Sequence, residues 1–185
     1  MKNTYLTSYF PLFSILLFSL SISIRVELTL IEFLKKIGIY EGMREFFSEG
    51  GIKLSLMILL LVLLFMVFAA LKLIADTINE LSLLFFSKDS EGDCLKNIRS
   101  GSIIYFLGGA LSLVSMFSFI GIAVIFLATT LIYFIYFVFK VSATISITGI
   151  IGLIFFQVLI WSTLLIGVFF IGIKVYNSII SSLPI

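Results

Sequence analysis

Apolar residues run through this chain in stretches longer than any strand of a soluble domain. The run "LSLMILLLVLLFMVFAAL" (54–71) holds 18 residues without a charge between Lys53 and Lys72. A bilayer core about 30 Å thick takes about 20 apolar residues of helix, so this run predicts a transmembrane span. Residues 3–24 are equally free of charge and predict a first span near 6–24. Lys2 before a greasy stretch resembles a signal peptide, yet no small-x-small cleavage site follows and "SISIRVE" is a poor exit. A retained span is therefore expected.

Residues 100–139 carry no charge at all. One helix of that length would measure about 60 Å, twice the bilayer core. The run must fold back, and "MFSFIG" (116–121) is the natural turn, giving spans near 102–117 and 120–139. Between Lys140 and Lys174, one span near 152–173 fits, with "VSATISITGII" (141–151) as a Ser/Thr-rich connection at the interface. The pattern predicts an all-α polytopic membrane bundle of about five transmembrane helices in one domain, 1–185. Four or six spans are the alternatives, if the first is re-entrant or 141–151 dips in.

Two segments change period. In residues 26–40, Val26, Leu30, Phe33, Ile37 and Tyr40 recur at helical spacing, with Glu27, Glu32, Lys35 and Lys36 elsewhere on the wheel. This predicts an amphipathic helix lying flat at the interface. "GIYEGMREFFSEGG" then breaks and restarts it, leaving Phe46 and Phe47 in need of cover. In "ALKLIADTINEL" (70–81) and its continuation, Ile74, Ile78, Leu81 and Phe85 fall on one face, and Lys72, Asp76, Asn79 and Glu80 on the other. Placing the span at 64–86 would submerge three charges at about 2.5 kcal/mol or more each. The second span is therefore expected at 54–71, continuing past the lipid as an amphipathic helix to 86, its polar face turned to water.

The order of these charges is informative. Asp76 and Glu80 are like charges one turn apart, and Lys72 precedes Asp76, the weaker order for an ion pair. The stripe is not arranged to stabilise its own helix; a solvated face is the expectation, and a basic group that answers it, Lys88, Lys96, Arg99 or another protein, is the alternative. Asp76 and Glu80 are accordingly candidate partner contacts.

Composition fixes the solvent. The 185 residues are 61% hydrophobic and 12% charged, half the charge of a typical soluble domain. A net charge of +2 argues against nucleic acid. Histidine is absent, which removes the commonest metal ligand and proton shuttle. The lone cysteine, Cys94, cannot form an intrachain disulfide. Asp89, Glu91 and Asp93 alternate as in a calcium loop, but the glycine (Gly92) comes two places early and Ser100 stands where glutamate is needed. No metal, cofactor or enzymatic activity is expected, since serine, metallo- and aspartyl chemistries each lack a part. Lys and Arg divide evenly, six on each side of a five-span topology: Lys2, Lys72, Lys88, Lys96, Arg99 and Lys140 against Arg25, Lys35, Lys36, Arg44, Lys53 and Lys174. The positive-inside rule returns a tie.

Within the spans the polar groups are small and neutral. Gly101, Gly108, Ser112 and Ser115 share one face of the third span and are expected to let helices pack closely. Gln157 and Trp161 lie one turn apart near the centre of the fifth. Trp prefers the interface, so a central one is expected to face protein, and Gln157 needs a partner across helices. The pair is a candidate contact within the bundle or with another subunit.

Several stretches, "MKNTYLTSYFPL", "YEGMREFFSEGGIKL" (40–54), "ALKLIADTINELSLLFFSKDSEG" (70–92) and "VYNSIISSLP", resemble the YufK-like membrane proteins of bacilli, a family of unknown function. The resemblance covers nearly the whole chain and implies a multi-pass protein of the bacterial plasma membrane. It brings no catalytic or binding residues with it. The expected role is a non-enzymatic structural or partner-binding subunit, meeting the lipid bilayer and either a membrane protein partner or further copies of itself. The alternative is a small permease or transport subunit for a neutral or lipid-like substrate.

Overall fold

A computed structural model describes residues 4–87, 95 and 98–182. Six α-helices account for nearly all of them: α1 (Thr4–Lys36), α2 (Ile39–Phe46), α3 (Glu49–Phe86), α4 (Ser102–Val114), α5 (Phe119–Val141) and α6 (Ile147–Ser182). A 3-10 turn, Arg99–Gly101, leads into α4. Four helices, α1, α3, α5 and α6, are long and apolar enough to cross a membrane. The third predicted span, α4, has only 13 helical residues, about 20 Å, and lies against α1 and α5.

Three of the helix starts, those of α3, α5 and α6, share one device. Ser48, Ser118 and Ser146 each accept, at the side-chain oxygen, the amide N–H three residues on, from Gly51 (3.1 Å), Gly121 (3.1 Å) and Gly149 (3.3 Å). Each bond satisfies one of the donors that a helix leaves open in its first turn. A serine hydroxyl does this compactly where the neighbouring solvent is apolar.

The first helix corrects an expectation. Residues 26–36 continue α1 rather than forming a separate helix lying flat, and the break comes at Gly38, whose φ of 77° is left-handed. The inward face here is Ser23, Glu27 and Ile31; Phe33 and Ile37 are exposed. Beyond Gly38 the short α2 folds back so that Tyr40 packs with Ile31 and Ile52, tying α1, α2 and α3 together. Lys35 stands over the Tyr40 ring, 4.9 Å from its centre.

Contacts along the bundle fix the order of its levels. At mid-height Phe18 (α1), Phe68 (α3) and Phe126 (α5) pack as three rings with centroids 5.3 to 6.0 Å apart. Toward one end lies the α2 cluster, with Arg25 over the Phe119 ring. Toward the other, Leu83, Ile98, Phe137, Val141, Ile145 and Leu153 form the second core cluster. Successive crossings alternate between these ends, and α6 runs back antiparallel to α3, with Gly152 at Phe86 and Leu164 near Leu73. The connection 141–151 is shorter than expected, because α6 is already helical from Ile147.

Candidate functional site

The α3 segment beyond Lys72 reverses the sequence expectation. The polar residues turn inward: Ser82 is fully buried, Lys72, Asp76 and Asn79 are half-buried, and the buried apolar pair is Ile78 and Leu83. The face left outside is apolar, with Leu73 70% and Leu84 73% exposed and Phe85 open as well. At the same height α5 exposes Ile132, Ile135 and Phe139, and α6 exposes Ile151 and Phe155. An apolar exterior over a polar seam is what lipid demands and water does not. The polar face of this stretch is therefore not the fully solvated one, although Glu80 is exposed and the Asp76 side chain keeps 46% of its surface open.

The group that answers Asp76 is on its own helix. Lys72 Nζ donates to both Asp76 carboxylate oxygens, one turn apart. The helix accepts the weaker charge order because both groups sit half-buried beside other helices, where a pair is worth more than in water. Of the three cations named for that role, Lys88 and Lys96 lie outside the described residues, as do Asp89, Glu91 and Asp93 of the calcium-like loop and the thiol Cys94, while Arg99 is exposed in the 3-10 turn. Above the pair, Tyr105 of α4 donates to Thr130 of α5 at 3.4 Å, and the Tyr105 and Tyr133 rings pack 5.1 Å apart.

One turn further along the seam α6 joins it. Gln157 is 3% exposed and donates through Nε2 to Asn79 Oδ1 at 2.8 Å and to Ser82 Oγ at 3.3 Å. This resolves the choice left by the sequence in favour of a contact within the bundle for Gln157. Interhelical bonds of this kind are worth about 1 kcal/mol in lipid. Trp161, one turn on, is half-buried and keeps a face outward.

The small residues of α4 mark where helices come closest. A Cβ at Gly108 would lie 2.1 Å from Thr129 Oγ1 of α5, and one at Gly109 would lie 3.0 Å from Leu17 of α1. Ser112, fully buried, shares a 2.7 Å hydrogen bond with Ser21 of α1. Gly101 lies just ahead of α4, in the 3-10 turn against Tyr136 and Tyr133, and Ser115 sits in the turn after it, against Gly121. The α4 helix ends at Val114, three residues short of the expected boundary.

A different situation holds on α6 beyond Leu164. Leu165, Ile166, Val168, Phe169, Phe170 and Ile171 are all exposed, so every face of the helix is bare. Gly167 and Gly172 have no heavy atom within 4 Å of an added Cβ. On the loop side of this bare half, α3 and α6 enclose an open apolar trough of about 290 Å³, lined by Leu73, Thr77, Leu81, Ile160 and Leu164 among others.

These features define an all-α membrane protein with four helices long and apolar enough to cross a bilayer. The chain belongs to a family of unknown function (DUF5366), whose model matches residues 27–184. It is 50% identical, over all 185 residues and the full length of both chains, to a protein of Bacillus subtilis (strain 168) described as "Uncharacterized membrane protein YufK". No solved structure matches it.

Proposed function

We propose that this chain is a non-enzymatic subunit of the bacterial plasma membrane that works by docking the bare half of α6 against another polypeptide. The observation that carries the reading is the pair of open glycines, Gly167 and Gly172. Glycine costs a helix interior up to about 1 kcal/mol relative to alanine. Lipid gains nothing from that sacrifice; a close-packing helix does.

Helix length supports the same reading. The outer face of α3 carries exposed apolar residues from Leu54 to Phe85, interrupted by Ser55, Thr77 and Glu80, a rise of about 47 Å. Even a tilt of about 40° leaves about 36 Å, more than the bilayer core holds. The surplus apolar height needs a neighbour.

The permease reading rests on the polar seam of Lys72, Asp76, Asn79 and Gln157. It is the weaker of the two, because Gln157, Asn79 and Ser82 already satisfy one another. The test of docking is disulfide crosslinking in native membranes with Gly167→Cys in a Cys94→Ser background, followed by purification and mass spectrometry. An adduct heavier than the chain is expected. Recovery of the lone monomer from every preparation overturns the reading. Flux into proteoliposomes that falls with Gln157→Leu would favour the permease instead.

A further inference from the structure

Resting on that docking surface, we infer that the polypeptide received by α6 is a second copy of this chain, inserted in the opposite orientation. The first ground is charge. The fold puts Arg25, Lys35, Lys36, Arg44, Lys53 and Lys174 toward the α2 end. Arg99 and Lys140 lie toward the other end, Lys2, Lys88 and Lys96 are counted with them by sequence alone, outside the described residues, and Lys72 is held by Asp76 within α3. Six cations against five give the insertion machinery almost no bias, and Lys/Arg bias is what sets orientation. Both orientations then enter the same membrane.

The second ground is shape. The trough between α3 and α6 begins just past Phe68 on the loop side of the mid-level rings. The bare half of α6 from about Phe169 onward lies on the other side of that level. A two-fold axis in the membrane plane, at the height of Phe18, Phe68 and Phe126, exchanges the two. The bare α6 of each copy then lies along the other's trough, and the interface is met twice. Thr163 and Gly167, four residues apart at the start of the bare half, allow the two α6 backbones to approach closely. A copy in the same orientation sets bare half beside bare half and leaves both troughs empty.

The third ground is complementarity. Glu80 is exposed beside Thr77 and Leu84 at the rim of the trough, and Lys174 is exposed among apolar residues on the bare helix. Inversion carries Lys174 across the mid-level to the side on which Glu80 and the Lys72–Asp76 pair lie.

The experiment fuses alkaline phosphatase and, separately, green fluorescent protein to the C-terminus, so that activity reports outside and fluorescence inside. Wild type should give both signals within about threefold of each other, and removing two cations at one end should swing the ratio about tenfold or more. Lys35→Gln/Lys36→Gln and Lys88→Gln/Lys96→Gln are expected to swing it in opposite directions. Gly167→Cys crosslinks should then form when the two biased variants are expressed together and fail when either is expressed alone.

A single active reporter, unmoved by either pair of substitutions, overturns the inverted copy. So does an equal homodimer adduct from each biased variant alone, which means parallel pairing. An adduct with a different protein overturns it as well, while leaving the docking reading intact. No adduct in any combination sinks both.

Discussion

The two ends of the α3–α6 pair are built from similar residues and behave differently. Toward the loop end, Phe86 lies against Gly152, Gln157 bonds across to Asn79 and Ser82, and α5 closes the cluster with Phe137 and Val141. Toward the α2 end the same two helices part, and α6 continues alone with its glycines facing open space. The contrast teaches that a glycine packs within this chain only where a specific residue stands opposite it, as Phe86 does at Gly152. What distinguishes the tight end is a small residue opposite a specific partner, plus a polar bond that has no lipid substitute.

The largest expected effect tests the tight half. Gly108→Leu forces a side chain into the space of Thr129 and should destabilise the bundle by about 1–3 kcal/mol, read as a lower midpoint of unfolding in detergent. Pairing Gly108→Ala with Thr129→Ala should recover part of what Gly108→Ala alone loses. If Gly108→Leu unfolds at the wild-type midpoint, the α4–α5 contact is not as close as described. Next in size is Gln157→Leu, which strands the Asn79 carbonyl oxygen and should cost about 1 kcal/mol. Asn79→Leu, which leaves the Gln157–Ser82 bond in place, should cost no more, and the double variant little more than Gln157→Leu, since the two share the Gln157–Asn79 bond.

How much of this was legible in the sequence depends on which physics each feature uses. Hydropathy alone defines the class, the greasy helices and the fold-back near residues 115–118, because lipid imposes a length ruler on every span. The facing of residues 72–86 was misread because an amphipathic wheel assumes water outside. With lipid outside, the same wheel turns round, and Lys72, Asp76 and Asn79 point in while Leu73 and Leu84 point out. The α1 extension failed for a related reason: spacing could not tell the Val26–Leu30–Phe33 stripe from the Ser23–Glu27–Ile31 stripe that is buried. Gln157 stood out as a polar group in a span, but its partners lie 75 and 78 residues away, beyond any local pattern. The serine caps at 48, 118 and 146 had a readable signal, Ser followed three places later by Gly ahead of an apolar run.

Smaller effects probe the loose half, and there the sign is informative. Gly167→Ala meets nothing in the chain, so helix propensity should stabilise the monomer by up to about 1 kcal/mol, opposite in sign to Gly108→Leu. Crosslinked dimer in membranes should fall at the same time if the glycine serves a close approach. A lower midpoint for Gly167→Ala would mean that α6 has a neighbour within its own chain after all.

The smallest effect belongs to the exposed pair at the start of α3, where Glu49 accepts from Lys53 at 2.7 Å. The Lys53 hydrogen bond and charge hold the Glu49 carboxyl below its usual range. Because its folded pKa is depressed, its contribution is full above the unfolded carboxylate value and is lost as pH falls through the folded one. The order of charges, Glu before Lys, is the favourable one, yet both groups are open to water and the gain is screened. Thermal midpoints should therefore dip slightly between neutral and acid pH, and Glu49→Gln should flatten that small dip without moving the neutral midpoint appreciably. Lys72→Gln offers the contrast, since it removes a half-buried partner and leaves Asp76 facing Tyr105 and Tyr133 on a seam covered by lipid. If the two substitutions cost the same at neutral pH, both ends of α3 stand in water and the inward turn of its polar face has no energetic consequence.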